Sequence, residues 1–381
     1  MEPATEKIAS RKHVCPACGG EFIWNPGKQA LVCPYCGTTS GVAAPDGTIQ
    51  EHDLIAALRS IPDDKRGWAV DTMSVRCQHC LAISVFSENR LGQRCDFCGS
   101  SQLVPYEETK APFRPESVMP IKIAESGARD LIKRWVAQVW FAPNNLLRLT
   151  RTDIVTGMYL PFWTFDAQVE ADWSAEAGHY YYTTESFTDS AGKIRTRQVR
   201  HTRWQPASGH VSHFFDDQLV CASRGVHTRL VESVSPFPTQ ELIPYDPSYV
   251  KGWLVEHYQL DLAEAAQDAR RRMVASIEAM CARAVPGDTH RSLRVSPDFS
   301  NQTFKHILAP VWLISYTYKG SAYQVVVNGV TGAIQGEYPK SWIKIACAVV
   351  TVLLLLALAL YAIGPEGLES GVRMIDSPTY R

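Results

Sequence analysis

From Ser126 to Phe141 apolar residues recur at helical spacing, with Leu131, Ile132, Trp135, Val136 and Val139 on one side. Pro143 follows and stops the pattern. The same period predicts a helix over Thr48 to Ile61, with Leu54, Ile55 and Leu58 on one face and Pro62 after it. The longest helix is expected over Asp261 to Ala284. Asp261 with Glu264 three residues on forms a capping box, and Pro286-Gly287 closes it. Core packing is the expected role of Trp135, Trp140 and Phe141, which recur with the aliphatic face.

Between these helices the period changes to two. Met158 to Asp166 opens a run of alternation that continues through Val169, Ala171 and Trp173. Short strands are expected at Tyr180 to Thr183, Ile194 to Trp204 and His210 to Cys221, punctuated by Gly178 and Asp189-Ser190-Ala191-Gly192. Further strands are expected at 292–295, 303–318, 322–327 and 333–337, with turns at Tyr318-Lys319-Gly320-Ser321 and Asn328 to Gly332. A third pattern ends the chain. Ile345 to Ile363 is a run without a charge, ~28 Å long as a helix, which reads as a transmembrane span. Trp342 and Tyr361 would sit at its interfaces, and Lys340 and Lys344 would place that side in the cytosol.

Cysteine spacing carries most of the chemical specificity. Cys15-Pro-Ala-Cys18 and Cys33-Pro-Tyr-Cys36 are followed, at an offset of 62 residues, by Cys77-Gln-His-Cys80 and Cys95-Asp-Phe-Cys98. Two Cys-x-x-Cys pairs at this separation can bring four thiolates to the corners of a tetrahedron, the arrangement of closed structural Zn²⁺ sites. The expected cofactor is therefore two structural Zn²⁺ ions, ligated by Cys15, Cys18, Cys33 and Cys36 and by Cys77, Cys80, Cys95 and Cys98. Disulfides are the competing explanation. The two-residue spacings and turn glycines Gly19 and Gly37 favour metal, hence a reducing compartment. Leu81 stands where the other knuckles have glycine, and His79 lies inside a knuckle that already has its cysteines. Asn25-Pro26-Gly27 turns a hairpin in the first ribbon. In the second, Ile83, Val85 and Phe86 are expected opposite Leu91.

The layout is thus α+β: a zinc ribbon at 13–40, a connecting helix at 48–62 and a second ribbon at 75–104. A mixed antiparallel-sheet and helix domain follows at 116–339, then a transmembrane helix at 345–363 and a tail at 364–381. Met1 to Arg11 is polar and charged, so no secretory signal is expected there. Together these place the body in the cytoplasm, held at the plasma (inner) membrane by one C-terminal span.

Charge decides among the function classes. The chain is near neutral, with a formal net charge of −1, and residues 1 to 110 hold eleven Lys/Arg against thirteen Asp/Glu. Two Cys₄–zinc sites would each add −2. This speaks against nucleic-acid binding through the ribbons, which needs basic groups to neutralise phosphates. No P-loop, GxSxG, HExxH or dinucleotide glycine fingerprint is present, so no catalytic residue is assigned. His210-x-x-His213 with Asp216 and Asp217 is the other candidate metal constellation. Arg270-Arg271-Arg272 reads as a solvated helix face complementing Glu264 and Asp268. Cys221, Cys281 and Cys347 read as buried or membrane thiols.

The two cysteine sets resemble a bacterial family of tandem zinc-ribbon membrane proteins. So do Leu160-Pro161-Phe162-Trp163-Thr164-Phe165-Asp166-Ala167, Phe304 to Trp312, and Val327-Asn328-Gly329-Val330-Thr331-Gly332. Members are labelled primosomal-protein N'-like or superfamily II helicase-like, although the helicase ATPase motifs are missing here. Some accompany SPFH/flotillin-like and PspA-like membrane-stress proteins. The resemblance implies a non-catalytic adaptor that presents a docking surface to such a protein partner. A nucleic-acid-binding zinc-ribbon protein associated with replication is the alternative.

Overall fold

A computed structural model describes residues 14–41, 48–59, 72–78, 82–87, 95, 97, 100, 102–105, 113–143, 155–188, 192–319 and 321–375. In the first ribbon β1 (Ile23–Asn25), β2 (Ala30–Val32) and β3 (Thr39–Ser40) form a three-stranded antiparallel sheet. The hairpin follows from Asn25, whose side chain accepts the Lys28 amide at 3.1 Å across the Pro-Gly turn.

All the remaining strands belong to one mixed sheet of twelve. In chain order these are β4 (His52–Asp53), β5 (Thr72–Cys77), β6 (Ile83–Ser87), β7 (Leu103–Pro105), β8 (Ser117–Val118), β9 (Val155–Thr188), β10 (Ile194–Cys221), β11 (Ile243–Pro244), β12 (Leu254–Glu256), β13 (Thr289–Tyr318), β14 (Ser321–Asn328) and β15 (Ile334–Gly336). The described helices are α1 (Leu54–Arg59), α2 (Glu125–Gln138), α3 (Thr228–Ser233), α4 (Pro247–Val250), α5 (Leu262–Ala284) and α6 (Trp342–Ile375).

The frame is three very long strands. β9 pairs antiparallel with β10 along one edge and with β13 along the other. The breaks expected inside them do not occur. Gly178 continues β9, because a Cβ there would meet Thr289 at 2.6 Å and Trp204 at 2.8 Å. It is a crossing point rather than a turn. Strand faces alternate as the period-two pattern requires, and Val169, Ala171, Trp173, Ala175 and Ala177 are buried. Over them lies α5, burying Ala265, Ala269, Met273 and Ile277. Its cap is the expected one, with Asp261 accepting the Glu264 amide at 2.8 Å.

Several expectations are corrected. The mixed sheet is not confined to residues 116–339. β4 pairs with β13, and β6 pairs with β12, so the connector and the second cysteine segment are strands of the large sheet. Ile83 to Ser87 pair with β5 before them, and Leu91, expected opposite them across Glu88 and Asn89, lies outside the described residues with both. The connecting helix is shorter, because His52 and Asp53 are drawn into pairing with β13 and α1 begins at Leu54. Of the three aromatics near the end of α2, Trp135 packs in the core, whereas Trp140 is exposed against Phe141.

The transmembrane expectation is corrected too. Among the described residues no helix is long and apolar enough to cross a membrane. After Lys344 the first turns of α6 are built of apolar residues. Beyond them the helix takes in Glu366, Glu369 and Arg373. Lys344 does not mark an interface either. Its ammonium donates to the carbonyls of Trp140 and Ala142 at 3.0 and 2.7 Å, tying α6 to the end of α2. The single-pass span at Ile345–Ile363 and the inner-membrane placement that rested on it are therefore withdrawn.

Candidate metal centre

The first ribbon brings Cys15, Cys18, Cys33 and Cys36 together, with all four sulfurs within 4.8 Å of one another. Cys15 and Cys36 Sγ are 3.5 Å apart, and Cys18 and Cys33 Sγ are 3.4 Å apart. Sulfurs at ~2.3 Å from a tetrahedral zinc stand ~3.8 Å from one another, so the cluster is of the size a metal ion needs. Local backbone dictates it. In each knuckle the first cysteine's amide donates to the carbonyl five residues on, Cys15 to Gly20 at 2.7 Å and Cys33 to Thr38 at 2.9 Å. The amides of Gly19 and Gly37 donate back to Cys15 and Cys33, a turn that needs the left-handed φ of +74° both glycines adopt.

Cys15 and Cys33 are buried, while Cys18 and Cys36 are exposed. The sulfurs differ electrostatically. A hydrogen bond from the Thr38 hydroxyl, 3.1 Å away, pulls the Cys36 thiol down to about 6. For Cys18 the Gly20 amide favours the thiolate, but the sulfurs of Cys33 and Cys36 outweigh it and leave that thiol up at about 12. Four sulfurs this close cannot all ionise without a cation between them. A metal that neutralises them removes that repulsion.

The ribbon is seated on the body. The Trp24 amide donates to the Lys251 carbonyl at 3.1 Å, and the Trp253 indole returns to the Trp24 carbonyl at 3.1 Å. Trp24 stacks at a tilt on Tyr249, 4.7 Å between centroids. Gly252, at φ +82°, lets the backbone pass Ile23, which would stand 2.6 Å from a Cβ. Phe22, Trp24 and Leu31 thus join the same core as Ile132 and Trp135 of α2.

The second set is partly described. Cys77 and Cys95 are buried, while Cys80 and Cys98, with His79 and Leu81, lie outside the described residues. Both repeat the knuckle bond of the first ribbon: the Cys77 amide donates to Ala82 at 2.9 Å and the Cys95 amide to Ser100 at 2.7 Å. Phe97, two residues after Cys95, is fully buried, its carbonyl accepting from the Ser315 hydroxyl and from Gln324 at 3.3 Å. Next to this set lies Glu256, wholly buried, whose carboxyl is pushed up to about 8 by burial.

The histidine constellation does not assemble. His210 and His213 are three apart on β10 and so face opposite sides. His210 is held by Asp172 at 2.9 Å and Glu170 at 2.7 Å, which raise its imidazole, and His213 packs edge-on to Phe215. A bulge in β10 instead turns Asp216 and Asp217 toward Asp166. The position a cation would take there is held by Lys305, whose ammonium is 2.8 Å from Asp217 and 3.0 Å from Glu51. Burial pushes the Asp166 carboxyl up to about 6, while it accepts the Asp217 amide at 2.6 Å and the Thr303 hydroxyl at 2.9 Å. An aspartate inside the otherwise apolar run Leu160 to Ala167 was the sequence signal for this cluster.

The remaining candidates divide. Arg271 and Arg272 pair with Asp268 as expected, and Arg272 also reaches Glu232 at 2.6 Å. Cys221 and Cys281 are buried, and Cys347 is exposed on α6.

Compared with known proteins, the chain matches no protein-family model and no solved structure. It is similar to a protein of Bacillus subtilis (strain 168) named uncharacterized protein YdjG, 23% identical over 333 residues, which is 87% of this chain and 91% of that one. No activity comes with the name.

Proposed function

We propose that the protein is a non-catalytic adaptor whose two cysteine sets each hold a structural Zn²⁺ and present a rigid docking surface to a protein partner. The observation that carries this is the first cluster: four cysteine sulfurs and no other ligand, within 4.8 Å. With four thiolates bound, zinc has no open position for water or substrate, so the ion staples the fold instead of activating anything. The repeated knuckle bonds at Cys77 and Cys95 support a second ion of the same kind, completed by Cys80 and Cys98.

What the staple holds in place is the outer surface of the first ribbon. Tyr35, between Cys33 and Cys36, is 80% exposed and lies over Gly20, and Val14 and Ile23 of the same ribbon are also exposed. A small knuckle seated by Trp24 on a large sheet gives such a tyrosine a fixed position, the condition for an anchor residue. SPFH/flotillin-like and PspA-like proteins are the partner classes implied by the family resemblance.

In-cell crosslinking of the full chain, followed by identification of the captured proteins, tests the docking surface. A single dominant protein partner that is lost in Tyr35→Ala supports the reading. Recovery of replication proteins alone would replace it with the nucleic-acid alternative.

A further inference from the structure

The pairing of β9 with β13 ends at Gly178 with Thr289, but its pairing with β10 continues. From His179 with Arg203 to Thr188 with Ile194, ten residue pairs run on, ~33 Å at ~3.3 Å per residue. Among the described residues no other strand flanks this stretch, and α5 stops at Ala284, before it begins. It is a free two-stranded arm, wet on both faces.

Its composition differs from that of the body. Residues 179–204 hold five Lys/Arg against Glu185 and Asp189, net +3 in a chain whose net charge is −1. The carboxylate described on the arm's strands, Glu185, meets Arg197 at 3.3 Å across an exposed pair, a weak contact that a phosphate can displace. Strand parity puts Arg195, Arg197 and Arg203 on one face and Arg200 on the other. Several of these cations stand over aromatic rings. Arg203 lies over Tyr181 at 5.6 Å, Arg197 over Phe187 at 5.7 Å, and Arg200 over Tyr180 at 4.4 Å. Tyr181 itself stacks on His201 at 5.2 Å. The arginines are therefore pre-positioned, with less side-chain freedom to lose on binding.

Cations on both faces of one narrow ribbon decide between partners. A protein docks on one face, whereas here the cations stand on both, with the exposed Tyr181, Tyr182, Phe187 and Ile194 among them. The major groove of duplex nucleic acid is walled by phosphates on both sides and is wide enough for a two-stranded ribbon. We propose that the arm of β9 and β10 binds duplex DNA by entering its major groove, with Arg195, Arg197, Arg200 and Arg203 neutralising phosphates on both walls. The basic footprint absent from the cysteine head is carried here. The inference is independent of the adaptor reading and of the metal.

Fluorescence anisotropy of the full chain with a labelled duplex of about 20 base pairs tests it. Four neutralised phosphates predict a ~100-fold loss of affinity between ~50 and ~200 mM salt. Replacing all four arginines by glutamine should abolish that slope, while replacement by lysine should keep it. These side chains lie outside the core, so circular dichroism of both variants should match the parent. Unchanged binding in the glutamine variant, or no binding by the parent at ~50 mM salt, overturns the proposal. Tighter binding to a labelled single strand overturns the groove geometry. Equal affinity for a polyglutamate peptide transfers the arm to an acidic protein partner.

Discussion

Among single residues, Cys33 and Asp166 make the sharpest claims. Cys33 is buried, and its amide and sulfur both belong to the first knuckle pair. Cys33→Ser should lower bound zinc from two ions per chain to one and cost several kcal/mol, read as a drop in melting temperature. Unchanged metal content would remove the first site. Asp166 makes a claim about pH. Its folded carboxyl titrates near 6 because it is buried, above its value of 3.8 in the unfolded chain. The native state therefore binds the proton more tightly, so the stabilisation is fully present below pH ~4 and is lost as pH rises through ~6. Asp166→Asn keeps an acceptor for the Asp217 amide and a partner for Thr303. Its stability relative to the parent should rise by about 2 kcal/mol between pH 4 and pH 7, followed by urea unfolding. A constant difference across that range would show that Asp166 is ionised throughout. Tyr35 and Asp166 differ in legibility: one stands inside a cysteine motif, while the other gained its setting only when two bulges brought Asp217 and Thr303 to it.

At the level of elements, signals confined to a single turn are legible. The capping box at Asp261 and Glu264 set the start of α5, and Asp261→Ala should cost about 1 kcal/mol in urea unfolding. No change would mean the helix start is fixed by packing alone. The knuckles were legible because the spacing of cysteines and glycines encodes their turns within a few residues. Long-range pairing was not. Nothing local to Ile83 to Ser87 says that β6 will pair with β12, some 170 residues later, as well as with β5. Gly178 shows the same limit, since a glycine in an alternating run signals either a turn or a close crossing. The arm beyond it has no share in the buried core, which ends at Ala177 on β9. Replacing 180–202 by a short turn should leave the melting temperature within ~3 °C of the parent. A large loss would show that the arm supports the body.

Across the whole molecule, the two cysteine sets are parts of one framework. The first is docked by Trp24 and Trp253, and the second is built from strands of the twelve-stranded sheet and packs against α3 through the core around Phe97. This was hidden in the sequence because equal spacing suggested two equal beads. The offset of 62 residues repeats the ligands but not their surroundings: Phe22, Trp24 and Leu31 support one set, and Val75, Ala82 and Phe97 the other. The apolar run at Ile345 misled in a different way. A hydropathy pattern reports what a segment prefers, and it took the structure to show Lys344 engaged with the end of α2.

The central claim is that this framework is closed by two structural metal ions, one in each Cys₄ set. Elemental analysis of the full chain, purified under reducing conditions without added metal, tests it most directly. The account predicts two zinc ions per chain, one in Cys33→Ser and one in Cys95→Ser. Substantially less than one ion in the parent, or a metal content that neither substitution changes, would contradict it.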